Sequence, residues 1–182
     1  SLMLAQRNAF ADVLAVDINE AAANLAKENF KNSPFSNRLK IKLMDFKNFE
    51  AQKEFDLVVC NPPFFEENNS EKDVLARQQV ELNFKNLIEK SSEIVTENGI
   101  ISIIIPAESA LEIEDLAKEF SLQKNKKINI YGIEGGNLKR NILEFSFAQK
   151  PLETIDFTIE ESPRKYSEQY LELTKDFHVF RK

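Results

Sequence analysis

The sequence is poor in the residues that build metal centres and disulfides. Its 182 residues include one cysteine, Cys60, and one histidine, His178. A single cysteine cannot close a disulfide within the chain, and this pair cannot supply the usual ligands of zinc or an iron–sulfur cluster. We therefore expect no metal and a reducing, cytoplasmic environment. Because Cys60 lies within an apolar strand pattern, we expect it in the core and not as a nucleophile.

Long apolar runs and a glycine- or proline-rich composition are also missing. The chain has 4 Gly, 6 Pro and no Trp, and its longest apolar run, Ile100 to Ile105, is broken by Ser102. That run is far shorter than the ~20 residues of a membrane-spanning helix. Hydrophobic residues make up 42% and charged residues 30%, as in ordinary globular proteins. We expect one domain over residues 1–182, without membrane contact, acting as a monomer.

An excess of positive charge is absent as well. The net charge of −6 argues against nucleic-acid coat proteins, which bind mainly by neutralising phosphates. Residues 1–120 carry 13 basic and 21 acidic side chains, whereas residues 121–182 carry 11 and 9. Any basic surface is therefore expected late in the chain, although such clusters are most often solvated turns. The clusters there are Lys124, Lys126 and Lys127, then Lys139 and Arg140, then Arg164 and Lys165.

Strand and helix patterns alternate along the first two thirds of the chain. Strand patterns occur at 13–17, 39–44, 55–60 and 100–105, with helical spacing of apolar residues at 20–31, 80–95 and 111–120. This alternation predicts an α/β domain with a mostly parallel sheet. The pattern then changes to consecutive strands at 127–133, 142–148 and 154–159, followed by a helix at 167–177. A polar loop at 66–73 is a candidate lid.

Polar side chains follow three of the predicted strands. Asp17, Asp45 and Asn61 each stand where a strand ends. In parallel sheets ligands bind outside the carboxyl ends of the strands, so neighbouring strands would bring these residues into one site. The structural alternative for each aspartate is a helix cap or a turn.

The segment Asn61-Pro62-Pro63-Phe64 is the most specific local feature of the chain. One interpretation is a rigid turn that returns Phe64 to the core. The other is chemical, because the Asn61 side-chain oxygen and the Pro62 carbonyl can both accept hydrogen bonds from one NH₂ group. That arrangement favours a pyramidal, nucleophilic nitrogen on a nucleobase amine, while Phe64 stacks on the base.

Taken together, these features resemble the class I S-adenosylmethionine-dependent methyltransferases. The Asn-Pro-Pro-Phe element is typical of their amino-methylating branch, and within it the chain is most similar to the bacterial tRNA(Val) adenine-37 N6-methyltransferases. The resemblance extends over nearly the whole chain. It rests on residues 13–35, 55–65, 75–77, 99–106, 139–145 and 173–177.

The resemblance implies a fold, a reaction and a set of site residues. The fold is Rossmann-like, with a mostly parallel seven-stranded sheet whose last strand is antiparallel. The reaction is methyl transfer from S-adenosylmethionine to the N6 amine of adenine 37 in the anticodon loop of tRNA(Val). The implied cofactor-binding residues are Asp17, Ile18, Asp45, Phe46 and Asn61. Catalysis is assigned to Asn61, Pro62, Pro63 and Phe64, and tRNA contacts to Arg77, Lys139 and Arg140.

One expected element of this family is missing from the sequence. A glycine-rich turn after a first, central strand should lie just before Ser1. Without that strand, two others would face an empty slot with many unpaired backbone groups. We therefore expect an upstream segment in the natural protein.

Other functions remain open at this point. The acceptor amine could belong to guanine N2 of ribosomal RNA or to a protein glutamine, although the glutamine-modifying relatives usually have Tyr where Phe64 stands. A different class is an inactive RNA-binding fragment, which the missing glycine turn suggests. Binding of S-adenosylmethionine distinguishes this last class from the enzymes.

Overall fold

The structure, a computed structural model, describes residues 1–62 and 84–177. Contacts divide the chain into two compact units, Ser1–Glu50 and Ala51–Lys182. The loop predicted at 66–73 and the residues Pro63, Phe64, Arg77 and His178 lie outside the described ranges. Within those ranges, no helix is long and apolar enough to cross a membrane.

The first unit contains two parallel strands and two helices. Its elements are α1 (Leu2–Arg7), β1 (Val13–Asp17), α2 (Glu20–Lys31) and β2 (Leu39–Leu43). The two strands pair in parallel from Val13 opposite Leu39 to Asp17 opposite Leu43. Helix α2 begins as predicted, because the Asn19 side chain accepts a hydrogen bond from the Ala22 N–H at 3.0 Å.

The core of this unit forms where the helices cover one face of the strand pair. Ala5 of α1, Phe30 of α2 and Leu39 of β2 are buried there. The Arg38 guanidinium, just before β2, donates to the carbonyl oxygens of Ala5 at 3.0 Å, Asn8 at 3.0 Å and Ala11 at 2.7 Å. These carbonyls lie at and beyond the end of α1, where no N–H group of a following helical turn is available to donate to them. Arg38 therefore ties α1 and the chain entering β1 to the start of β2.

The second unit is built on a six-stranded sheet. Its elements are β3 (Phe55–Cys60), α3 (Phe84–Ile94), β4 (Val95–Pro106), α4 (Ala110–Glu119), β5 (Gln123–Ile133), β6 (Leu138–Ser146), β7 (Glu153–Ser162), β8 (Lys165–Tyr166) and α5 (Glu168–Thr174). The strand order is β3-β4-β6-β5-β7-β8. Strands β3, β4, β5 and β7 share one direction, and β6 and β8 run against it. The α/β class is confirmed, as is an antiparallel strand late in the chain.

The core of the second unit lies between helices α3 and α4 and one face of the sheet. Alternate residues of β4 and β6 face it and are almost completely inaccessible, as expected for a buried sheet face. The main contributors are Leu87, Ile88, Ile101, Ile103, Ile105, Ile113, Ala117, Leu143 and Phe145.

The structure corrects several predicted boundaries. Helix α3 ends at Ile94, not at Asn98-Gly99, because β4 already begins at Val95 opposite Phe55. The register then shifts, since Leu57 pairs with Ile100. Gly99 lies in this irregularity, where a Cβ would come within 2.9 Å of the Phe55 carbonyl oxygen.

Two further differences concern the end of the chain. The cluster Lys124, Lys126 and Lys127 lies in strand β5 and not in a turn. The antiparallel strand β6 is followed by β7 and by the two-residue strand β8, which the sequence pattern did not predict. Of the strands that the structure describes, β1 and β2 form a sheet of their own and the other six a second sheet.

Candidate active site

The two predicted aspartates lie at the same end of the strand pair in the first unit. Asp17 is the last residue of β1 and stands opposite Leu43, the last residue of β2. The Met44 N–H donates to the Asp17 carbonyl oxygen at 2.9 Å, and Asp45 follows directly. The strand-end pattern therefore brings Asp17 and Asp45 together at the carboxyl edge of this pair.

Asp17 uses one carboxylate oxygen locally. Its Oδ1 accepts a hydrogen bond from the Asn19 N–H at 2.8 Å, which is a turn interaction two residues along the chain. Its Oδ2 has no partner among the residues that the structure describes. Beside it, Ile18 is 56% exposed. An available carboxylate oxygen next to an exposed apolar side chain suits a ligand with hydroxyl donors and a flat apolar part.

Asp45 is held more tightly, by a residue that sequence reasoning missed. Its Oδ1 accepts from the Lys47 N–H at 2.9 Å, and its Oδ2 lies 3.3 Å from Lys47 Nζ. The sequence feature that could have indicated this contact is an Asp at a strand end followed by a short helical turn. In such a turn the carboxylate accepts a hydrogen bond from the N–H two residues further along the chain. Phe46 stacks on the buried Phe49, with ring centroids 6.1 Å apart and planes at 17°. The carboxylate and the ring beside it are thus fixed by local contacts.

In the second unit, the predicted catalytic segment begins at the carboxyl end of β3. Asn61 follows the last residue of that strand and is exposed, whereas Pro62 is buried. The side chain of Asn61 has no partner among the described residues. A buried proline fixes the backbone, so the exposed amide is presented from a rigid strand end.

The two basic residues of the β6 start lie at the same edge of the six-stranded sheet. Strand β4 runs parallel to β3 and ends at Pro106, which pairs with Arg140. Lys139 precedes Arg140, and both are exposed. This edge of the sheet therefore carries an amide at the end of β3 and two cations at the start of β6, with β4 between the two strands.

Cys60 is half-buried at the end of β3 and not in the core that was expected for it. Burial raises the pKa of its thiol to about 11, so the thiol is neutral at physiological pH. A neutral thiol is a poor nucleophile. In the described parts of the chain, no group of three His, Cys, Asp or Glu side chains could hold a metal ion.

The family model of the methyltransferase small domain matches residues 1–131. This range contains β1 to β4, most of β5 and the strand-end residues Asp17, Asp45 and Asn61. The chain belongs to the methyltransferase small domain family. As a member of this family it is a methyltransferase, and its methyl donor is S-adenosylmethionine. The predicted activity class and cofactor are confirmed.

Curated relatives of this methyltransferase extend over nearly the whole chain. A tRNA1(Val) (adenine(37)-N6)-methyltransferase from a Flavobacteriaceae bacterium (strain 3519-10) is 45% identical over 182 residues, which is 99% of this chain and 78% of the relative. Proteins with the same name are 39% identical in Flavobacterium psychrophilum, with 98% of this chain and 79% of the relative covered, and 32% in Bacteroides thetaiotaomicron, with 98% and 77% covered.

Solved structures confirm the fold of this methyltransferase. A predicted O-methyltransferase from Agrobacterium tumefaciens matches with a TM-score of 0.74 at 17% identity, covering 98% of this chain and 84% of the other. The geranyl diphosphate C-methyltransferase of Streptomyces coelicolor, solved with S-adenosyl-L-homocysteine, matches with a TM-score of 0.60 at 10% identity, covering 81% and 66%. At these identities the likeness concerns the fold alone.

Proposed function

We propose that this methyltransferase modifies the N6 amine of an adenine in the tRNA anticodon loop, adenine 37 of tRNA1(Val). The observation that carries the proposal is the exposed Asn61 before a buried proline at the end of β3. The relatives named for this activity support it, with up to 45% identity over almost all of the chain. We further propose that residues 1–182 act as one domain, as a monomer in the cytoplasm and without a metal.

The described residues fit the adenosine part of S-adenosylmethionine, which supplies the methyl group from its sulfonium. Asp17 has a carboxylate oxygen available to accept hydrogen bonds from the ribose hydroxyls. The exposed Ile18 offers an apolar contact for a flat ring. Asp45 would accept a hydrogen bond from the amine of the cofactor adenine, and Phe46 would lie beside the adenine ring. The stack on Phe49 and the contacts from Lys47 hold these two groups ready.

Asn61 and Pro62 would prepare the acceptor. A nucleobase amine is a weak nucleophile because its lone pair is delocalised into the ring. The Asn61 Oδ1 and the Pro62 carbonyl would accept its two N–H bonds and favour the pyramidal nitrogen that attacks. Bound S-adenosylmethionine would supply the methyl group to this nitrogen, while Asn61 and Pro62 would hold the amine in place and one amine proton would leave to solvent. Pro63 and Phe64 are assigned to the same methyl-transfer step, in which Phe64 would stack on the acceptor base.

The acceptor adenine must leave its stack to reach such a site, at a cost of roughly a few kcal/mol. A single-stranded loop keeps that cost low. We propose Arg77, Lys139 and Arg140 as tRNA contacts. Lys139 and Arg140 are supported by their exposure at the sheet edge that carries Asn61.

A methyl-transfer assay on unmodified total tRNA tests the proposal. We expect label from the cofactor to appear as N6-methyladenosine, and Asn61→Ala to lower the rate ~100-fold or more, as for the loss of a transition-state hydrogen bond. The matched control is Asn98→Ala, another exposed asparagine, which lies at the beginning of β4 at the opposite edge. Its rate should equal that of the parent protein.

The other functions give different results in the same assay. Label in N2-methylguanosine of ribosomal RNA, or in protein, would assign another acceptor to the same fold. Cofactor binding, measured with S-adenosylhomocysteine, should be unchanged in Asn61→Ala within a few-fold. A parent protein that bound no cofactor would support the inactive RNA-binding fragment.

A further inference from the structure

The edge of the six-stranded sheet that carries Asn61 also carries two hairpin turns. Strands β5 and β7 run parallel to β4, so the β5–β6 and β7–β8 turns project from this edge. The Glu134 N–H in the first turn donates to the Glu160 carbonyl oxygen at 2.8 Å. The two hairpins are therefore held side by side, and their turns extend from the edge at which β3 ends.

Most described cations of the second unit are paired with acidic side chains. Glu114 lies 2.7 Å from Lys124 and 3.6 Å from Lys127, and Glu153 lies 2.8 Å from Lys126. Lys165 pairs with Glu161 at 2.5 Å. The other paired lysines are Lys53, Lys85, Lys90, Lys118 and Lys175. The first basic cluster of the sequence is thus neutralised within the sheet.

Three cations in the described part of this unit have no acidic partner, and two of them lie at the Asn61 edge. These two are Lys139, beside the β5–β6 turn, and Arg164, in the β7–β8 turn. The third, Lys150, lies between β6 and β7 at the opposite edge. Arg140 makes a contact of its own. Positive charge that is available to a partner therefore lies mainly at the end of the sheet that carries Asn61.

Arg164 has a backbone conformation that favours glycine. The β7–β8 turn is the two residues Pro163 and Arg164 between the paired Ser162 and Lys165. Arg164 has a φ of +67°, in the left-handed region. Proline followed by a left-handed residue is typical of a type II turn, whose third position strongly favours Gly or Asn. An arginine there adds strain and gives no ion pair with the described residues in return, which points to a role for its side chain.

We propose that Arg164, together with Lys139, binds the sugar–phosphate backbone of the stem next to the methylated loop. This inference rests on the proposed tRNA substrate and extends its binding surface. Four strand spacings of ~4.8 Å separate β3 from β7, or roughly 19 Å across the sheet. The register places Cys60 level with Thr154 of β7, so Arg164 also lies roughly 30 Å further along the strand direction. A base bound at Asn61 would leave the adjoining duplex to lie along this edge. Guanidinium and ammonium groups are the usual phosphate contacts.

The acidic residues of this edge limit the contact to a few phosphates. Glu134 is exposed, and Glu160 and Glu161 flank the β7–β8 turn. The charge of Glu161 is compensated by Lys165. The surface therefore fits a duplex that touches the two hairpins and not a broad electrostatic groove.

Arg164→Gly tests the proposal because it separates binding from stability. Removing the side chain relieves the left-handed strain, so the urea midpoint of the variant should equal or exceed that of the parent protein. The Kd for fluorescently labelled, unmodified tRNA should rise about fivefold to tenfold, and the salt dependence should lose about one unit of slope. Arg164→Lys should bind within about twofold of the parent, because it retains the charge.

Two matched controls complete the experiment. Ser121→Gly replaces another left-handed residue, with φ +61°, at the opposite edge, where it should raise stability without changing the Kd for tRNA. Lys150→Ala removes an unpaired charge at that opposite edge, and tRNA binding should again be unchanged. An Arg164→Gly protein with the parent Kd and salt slope would overturn the inference. If it still methylated tRNA, the proposed function would stand; a parent that methylated no tRNA would overturn both.

Discussion

At the scale of single residues, polar side chains at strand ends serve the backbone and remain available for ligands. Asp17 gives one oxygen to the turn that leads to Asn19 and keeps the other. Asp45 gives both oxygens to Lys47 but remains partly exposed. Asn61 has no partner at all among the described residues. The structural and functional interpretations of the two aspartates are therefore compatible, because a carboxylate has several acceptor positions.

The effect of burial on the ionisation of a single thiol can be tested at Cys60. Its thiol pKa is raised to about 11 from an ordinary value of 9.0, so the unfolded chain ionises at lower pH than the folded protein. Stability from this group is complete below pH 9 and is lost as the pH rises toward 11. We expect the free energy of unfolding of the parent to fall by about 2 kcal/mol more than that of Cys60→Ala across this range.

The measurement is urea unfolding at several pH values for both proteins. The variant carries every other titrating group, so the difference between the two curves isolates the thiol. Parallel curves from pH 8 to 11 would show that Cys60 ionises equally in both states. Methyl transfer by Cys60→Ala should stay within a few-fold of the parent, because the thiol is no nucleophile.

At the scale of elements, periodicity predicts existence and type well, and tertiary pairing decides boundaries. Strands β1 and β3 have the predicted limits, since polar residues and prolines end them sharply. The start of β4 was misplaced by five residues, because Val95 joins the sheet through its pairing with Phe55 across an irregular register. No local pattern contains that information. Strand β8 was missed because two residues show no alternation.

The candidate site follows the same division. The positions of Asp17, Asp45 and Asn61 at or just after strand ends could be predicted from the sequence, because the strand patterns stop there. The ion pair between Lys47 and Asp45 depends on a side-chain contact. The position of Arg164, without an ion pair to the described residues, depends on a turn conformation. Those features become visible only in three dimensions.

Arg38 offers a test at the junction of elements. One guanidinium satisfies three backbone carbonyls at the end of α1 and in the chain that leads to β1. Arg38→Ala would leave these acceptors without their charged donor, and we expect a loss of about 2 kcal/mol in the free energy of unfolding. Arg38→Lys should lose roughly half as much, because an ammonium cannot reproduce the planar fork.

Urea unfolding of the two variants and the parent measures this contribution. The control is Lys27→Ala, which removes an exposed cation from helix α2 in the same unit and should change stability by less than ~0.5 kcal/mol. A loss in Arg38→Ala no larger than in the control would contradict a tying role for Arg38.

At the scale of the whole molecule, the proposed tRNA binding by an acidic chain requires that few contacts suffice. The net charge is −6, and nine lysines of the second unit are engaged by acidic partners. Long-range attraction of nucleic acid is therefore weak. The proposed specificity for tRNA then has to come from the fit of loop and stem and from the proposed base capture at Asn61.

This charge distribution predicts a shallow salt dependence of tRNA binding. Lys139, Arg140 and Arg164 are the exposed cations at the Asn61 edge that we propose as tRNA contacts, so we expect two to three phosphate contacts and a slope of log K against log salt of about −2 to −3. Titrations of labelled tRNA between about 50 and 200 mM salt measure this slope. An unrelated duplex of equal length should compete poorly, because it offers phosphates without a loop base. A slope steeper than about −5, with equal competition by any duplex, would instead indicate a broad basic surface.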